Sequence, residues 1–197
     1  MRPLPFVFPY AVLFWAVWGW AFLPEMGIVR RARRDVAHEA SPDAGSLRVV
    51  LYGTWLALVA AFPLAWLPSL RFPAGAGSVP FFAGVATMIT GALLRRHCWR
   101  QLGASFTGDV RARPDQQIVT TGAYAYLRHP SYSAGVLLIT GIGIALGSWA
   151  SSLLLLATTL GVYRYRMAVE ERALLAVVGE PYREFMQGRK RIIPFVY

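Results

Sequence analysis

The residues best suited to chemistry fall in two short stretches of the chain. The first, RHPSY, places Arg128, His129 and Pro130 just before Tyr132 and a run that stays apolar almost without interruption to Tyr163. Proline disfavours a helical conformation at the residue before it and suits the first turn of a helix. His129 is therefore predicted just outside a helix that begins at Pro130. Free N–H groups at such a helix start carry partial positive charge, and with Arg128 and His129 beside them they would attract an anion or a polar group. The second stretch, YRYRMAVEERALL, holds Arg164, Arg166, Glu170 and Glu171. On a helix Arg166 and Glu170 stand four apart with Tyr163 on the same face, and Arg164 and Glu171 share a neighbouring stripe. An arginine can hold a carboxylate by charge-assisted hydrogen bonds, and a glutamate can accept from hydroxyls. The same residues would also serve as a solvated i,i+4 pair and as basic anchors at a membrane edge.

What must position them is apolar. Hydrophobic residues make up 56% of the 197 and mean hydropathy is +0.44, well above an ordinary soluble domain. A membrane-crossing helix needs roughly 20 mostly apolar residues. Leu4–Pro24 and Val49–Pro68 meet this, and Val79–Leu94 is slightly short but flanked by Arg95 and Arg96, whose stems can snorkel. The stretch from Tyr132 to Tyr163 is too long for one upright span and has GSWASS at its middle, which predicts two short helices in a hairpin. The expected fold is thus an all-α integral membrane protein with about five spans. The last helix should run on past the membrane to a stop at Gly179 and Pro181. The hairpin then brings RHP and the two glutamates to one interfacial level, and ionisable residues at such a junction are rarely idle.

The net charge of +10 admits a nucleic-acid reading, but its distribution argues against one. Arginines follow the first, third and fifth spans, whereas the other loops carry Arg71 and little else. Alternate basic loops place the N-terminus outside and the C-terminus in the cytoplasm, in a bacterium across the inner membrane. The first apolar run is too long for a signal peptide and lacks a small-x-small cleavage pattern. The single cysteine, Cys98, excludes an internal disulfide, and His97-Cys98 alone is a poor metal site, so a buried thiol is expected. GIGIALG does not fit a nucleotide loop, because the position of a third glycine is Leu146. Gly143 and Gly147 fit a close-packed helix seam instead. Between Gln101 and Pro130 the chain turns polar and rich in turn-formers, which predicts an ordered cytoplasmic loop.

From Leu94 onward the chain resembles the isoprenylcysteine carboxyl methyltransferase family, related in membrane fold to phospholipid methyltransferases. The matching pieces are LGASF, IVTTGAYAYLRHPSYSAG, RYRMAVEERALL, GEPYREF and IIPF. RHPSY followed by EE-x-x-L is the specific combination, and the N-terminal half carries no motif. The resemblance implies methyl transfer from S-adenosylmethionine without a metal, to a lipophilic, isoprenylcysteine-like carboxylate entering from the bilayer. It divides the chain into a three-helix scaffold, 1–94, and a methyltransferase region, 95–197. By motif position Tyr124, Arg128, His129, Pro130, Tyr132, Glu170 and Glu171 line the cofactor site, and Arg164 or Arg166, beside Glu170, anchors the substrate carboxylate. Tyr182, Phe185 and Pro194 would form a lid or pack the tail on the membrane surface. Eukaryotic members have more spans than the five expected here. Alternatives of related fold are an amine or phospholipid N-methyltransferase, which would need a general base, an NADPH-dependent sterol or isoprenoid reductase, and a non-catalytic membrane protein.

Overall fold

The computed structural model describes residues 2–36, 45–103 and 118–193, with backbone alone for 28–36. The arginines expected after the first span, Arg111, Arg113, most of LGASF and Pro194 lie outside the described side chains.

Regular structure among the described residues is helical. Six α-helices follow in order: α1 (Tyr10–Val36), α2 (Ser46–Leu64), α3 (Val79–Leu102), α4 (Pro130–Ala145), α5 (Trp149–Val177) and α6 (Glu180–Met186). The apolar runs and their charged extensions form continuous helices, so α1 passes through Pro24 and α3 runs on past Arg95. Among the described residues one helix, α2, is by itself long and apolar enough to cross a membrane; α4 is apolar but has 16 residues.

The hairpin turn forms where the small polar residues allow it. Gly147 takes a left-handed φ of 73° and Ser148 caps α5, its hydroxyl oxygen accepting from the Ser151 N–H at 3.1 Å. Gly147 is therefore a turn glycine and not part of a seam, while Gly143 does meet α5, where an added Cβ would lie 2.6 Å from Ser152 Cα and N. At the other end of α5 the helix stops at Val177, and Gly179, with a φ of 73°, precedes α6 with Pro181 in its first turn.

Helix α4 lies between α3 and α5, α2 packs on α5, and α1 on α3. The α3–α4 seam brings backbones into direct contact. A Cβ on Gly84 would sit 2.1 Å from the Ala145 nitrogen, and one on Gly91 2.5 Å from the Leu138 nitrogen. Small residues permit this approach, and dispersion between closely packed backbones holds the helices. The fully buried Phe14, Phe81, Met88, Leu138, Ile142, Leu146 and Leu155 fill the core beside it. Gly84→Ala is expected to force the helices apart at a cost of about 2 kcal/mol, read as a lower apparent Tm in detergent; an unchanged Tm would contradict the seam.

The alternation of helix direction gathers one set of ends. Glu25 of α1 pairs with Arg95 of α3 at 2.7 Å, Arg95 Nη1 donates to Ser131 O of α4 at 2.9 Å, and Arg166 Nη1 of α5 donates to Ser46 Oγ of α2 at 2.6 Å. Arg95, expected as a snorkelling residue, is instead a largely buried brace across three helices. The opposite end is aromatic, with Trp15 stacked on Phe62 and Phe6 against Trp66.

Candidate active site

The RHP step enters α4 along a second strand of chain. Leu127 forms a parallel bridge with Lys190, the Arg128 N–H donates to Lys190 O at 2.8 Å and the His129 N–H to Arg191 O at 3.0 Å. One turn on, Ser133 Oγ donates to Ile192 O at 2.6 Å. His129 keeps a non-helical backbone, and Pro130 opens the helix as expected. The predicted row of free donors is short, however. Pro130 has no N–H, and the N–H groups of Tyr132 and Ser133 both return to His129 O, at 3.0 and 3.4 Å. At most the Ser131 N–H remains to meet an anion.

Glu171, with 4% of its surface exposed, is surrounded by positive or donor groups. Oε1 accepts from Arg128 Nη1 at 3.3 Å, faces His129 Nε2 at 3.3 Å and accepts from Arg191 Nε at 3.2 Å; Oε2 accepts from Arg191 Nη2 at 2.7 Å. Burial pushes this carboxyl up, but hydrogen bonds and charge from His129 and Arg191 outweigh it and bring it to about 2. A carboxylate depressed in the folded state stabilises fully above its ordinary value of 4.5, and that contribution is lost as pH falls through about 2. The shift corresponds to about 3 kcal/mol. The gap in apparent Tm between wild type and Glu171→Gln is therefore expected to close as pH falls from 4.5 toward 2; a constant gap would contradict it.

Arg128 is similarly occupied. Besides Glu171, its Nε donates to Arg189 O at 2.9 Å and its Nη2 to Met186 O at 3.1 Å. Expected as an anion-facing residue, it spends its guanidinium on the following chain segment. Arg189 closes the same region by donating from Nε to Tyr124 O at 3.2 Å and lying over the Phe185 ring at 4.7 Å. Tyr124, Tyr182 and Phe185 are buried here. Burial first, and then Cys98 and Glu170 for Tyr124 and the two glutamates for Tyr182, raise both phenols well above the ordinary tyrosine value, so they stay protonated.

Glu170 contrasts with its neighbour. Its side chain is about a third exposed, Oε2 accepts from Tyr132 Oη at 2.9 Å and lies 3.8 Å from His129 Nδ1. Its Oε1 has no hydrogen bond among the described residues. Tyr132 Oη in turn accepts from Arg166 Nε at 3.4 Å. Arg166 is 5% exposed, whereas Arg164, two residues earlier on the helix, is exposed. The structure thus gathers His129, Tyr132, Arg166, Glu170 and Glu171 at one end of the α4–α5 hairpin, with Tyr124 packed behind, and leaves Arg164 outside. Cys98 is buried and His97 exposed, so the two do not converge. Sequence reasoning missed Ser46 and Arg191 as partners of these residues. Ser46 stands in a segment with no motif, and Arg191 reads as one more charge in a basic tail.

A family model described as "Isoprenylcysteine carboxyl methyltransferase (ICMT) family" matches residues 84–176, from the α3–α4 seam through both glutamates. Over residues 84–176, a little under half of the chain, the protein is similar to the isoprenylcysteine carboxyl methyltransferase family. Curated relatives agree. A protein-S-isoprenylcysteine O-methyltransferase of Schizosaccharomyces pombe is 32% identical over 54% of this chain and 46% of its own length. Protein-S-isoprenylcysteine O-methyltransferase B of Arabidopsis thaliana is 30% identical over 57% and 58%, and the Dictyostelium discoideum enzyme 28% identical over 72% and 61%. The chain thus spans about half the length of the curated relatives it matches. The fold agrees along nearly the whole chain. The solved structure of a eukaryotic intramembrane Ras methyltransferase, ICMT, covers 98% of this chain and is matched over 70% of its own, with a TM-score of 0.63 at 23% identity. Arg191, Ser46 and α6 lie outside the segment matched by the family model.

Proposed function

We propose that the protein is an integral-membrane methyltransferase that transfers the methyl group of S-adenosylmethionine to the carboxylate of a lipophilic, isoprenylcysteine-like acceptor. One observation carries this reading: the Tyr132 hydroxyl links the buried Arg166 cation to the half-open Glu170 carboxylate. A carboxylate with one oxygen unbonded among the described residues, beside tyrosine and histidine, fits the paired hydroxyls of a ribose. A buried guanidinium next to it fits an acceptor carboxylate. Glu170, Tyr132, His129 and Tyr124 would hold the cofactor, and Arg166, not the exposed Arg164, the acceptor.

Bound S-adenosylmethionine supplies an already electrophilic methyl group. The acceptor carboxylate is ionised near neutral pH, so no side chain has to take a proton from it. The work of the protein is orientation and exclusion of water. Arg166 holds the carboxylate in place, Tyr132 keeps Arg166 and Glu170 in register, and the buried Tyr182 and Phe185 with the segment over RHP shield the site. Arg166 also withdraws charge from the nucleophile, so its contribution is positional.

Among the described residues the basic ends of α3 and α5, with Arg95, Arg166 and Arg172, and the start of α4 after Arg128 lie at this end of the bundle. The positive-inside rule then faces the site to the cytoplasm and the aromatic Phe6–Trp66 end to the outside, with α1 to α4 and the apolar first part of α5 in the membrane and the charged end of α5 beyond it. The apolar outer surface, including Trp20, Tyr52, Trp55, Leu56 and Phe82, suits contact with lipid.

The test is incorporation of tritium from methyl-labelled S-adenosylmethionine by membranes containing the protein, with a small S-prenylated cysteine or an amine-headgroup lipid as acceptor. Methyl esters release volatile methanol in alkali and N-methyl groups do not. Base-labile counts on the prenylated cysteine are expected. Base-stable counts on the amine lipid, or none on either acceptor, would contradict the proposal.

A further inference from the structure

The segment 187–193 is fastened along its length to the RHP step and α4. Three of its carbonyls accept from the RHP step: Arg189 O from Arg128 Nε, Lys190 O from the Arg128 N–H and Arg191 O from the His129 N–H. A fourth, Ile192 O, accepts from Ser133. Across the segment Arg191 grips Glu171 through Nε and Nη2, at 3.2 and 2.7 Å, while Arg128 and His129 hold the Oε1 atom of the same carboxylate from the other side. Glu171 therefore has both oxygens filled and little capacity left for a ligand hydroxyl. Its neighbour Glu170 keeps one oxygen unbonded among the described residues.

We infer that Arg191, Arg128 and Glu171 form a buckle that straps 187–193 across the entrance of α4, and that they are positioning residues for the donor site and not ligands of the donor. The inference rests on the methyltransferase reading for what is positioned, but the buckle itself rests on the contacts alone. Bidentate guanidinium–carboxylate pairs combine charge with fixed geometry, so Arg191 sets where the strap lies as well as whether it binds. Through the strap it sets the backbone of His129, whose ring faces Glu170. Lysine at 191 would keep the charge and lose the fork.

The experiment uses the full-length protein in detergent and compares wild type, Arg191→Gln, Arg191→Lys, Glu171→Gln, the Arg191→Gln/Glu171→Gln double variant and the exposed control Arg183→Gln. Amide exchange is read at Arg128 and His129, whose N–H groups donate to the strap, and affinity for S-adenosylhomocysteine by calorimetry. Each buckle substitution is expected to speed exchange at the two amides and weaken the nucleoside about tenfold, Arg191→Lys about half as far on a logarithmic scale, with kcat little changed at saturating donor. The double variant should be no worse than the weaker single, because one removes what the other lacks. The control should match wild type. Unaltered exchange in Arg191→Gln and Arg191→Lys would overturn the buckle. Faster exchange with unchanged affinity would overturn the positioning role. Wild type that binds no S-adenosylhomocysteine would overturn the function proposed above and the positioning role with it, while the exchange data would still judge the buckle.

Discussion

Arg166→Ala is expected to lower kcat/KM for a prenylated-cysteine acceptor about 100-fold, whereas Arg164→Ala should leave it within about twofold. The two arginines are separated by two residues on one helix and thus point to nearly opposite sides of it. Packing decides between them. Arg166 is turned inward against α2 and α4, where Ser46 and Tyr132 take its donors, and Arg164 is exposed. A lost charge-assisted contact to a carboxylate is worth roughly 1.5–3 kcal/mol, which covers the predicted factor. Arg166→Lys keeps a buried cation and separates loss of the anchor from loss of the fold; it should recover part of the activity. Equal losses at both arginines would remove Arg166 from the anchor role.

Glu170→Gln is expected to weaken binding of S-adenosylhomocysteine by about 30-fold with helical content retained. Glutamine keeps an acceptor oxygen for Tyr132 but gives up the charge that strengthens a bond from a ligand hydroxyl. The Tyr132–Glu170 bond at 2.9 Å means that Tyr132→Phe should show a smaller effect in the same direction. Circular dichroism and calorimetry on the same samples check both points. Affinity equal to wild type in Glu170→Gln would show that this carboxylate is not a ligand.

Much of the hairpin was legible in the amino-acid sequence. Pro130 announces the start of α4, GSWASS the turn, and Gly179-Glu180-Pro181 the end of α5, because each signal is local: a fixed φ, a left-handed turn, a missing N–H. The meeting of RHP with the glutamates followed from helix lengths. What was not legible depends on side chains far apart in sequence. Gly84 and Gly91 are seven apart and so stack on one face, a spacing that does not by itself say which helix the face meets. The Arg95–Glu25 pair joins α3 to α1 across 70 positions, and no local pattern distinguishes it from a snorkelling arginine. Arg191 stands in the basic run RKR, which reads as a solvated charge cluster until the strap is seen to run parallel to Leu127. The different fates of Glu170 and Glu171 follow from a rotation of about 100° per residue on a helix, which turns Glu171 toward the strap and Glu170 toward Tyr132, where it stays about a third exposed.

In the proposed function His129 and Tyr132 at the entrance of α4 and the first glutamate of the pair, Glu170, together receive the methyl donor. A structure of the protein determined with S-adenosylhomocysteine bound tests it most directly. The nucleoside is expected against Glu170, Tyr132 and His129, with the strap still fastened to Glu171. Density for the nucleoside at any site that does not touch Glu170 would contradict it.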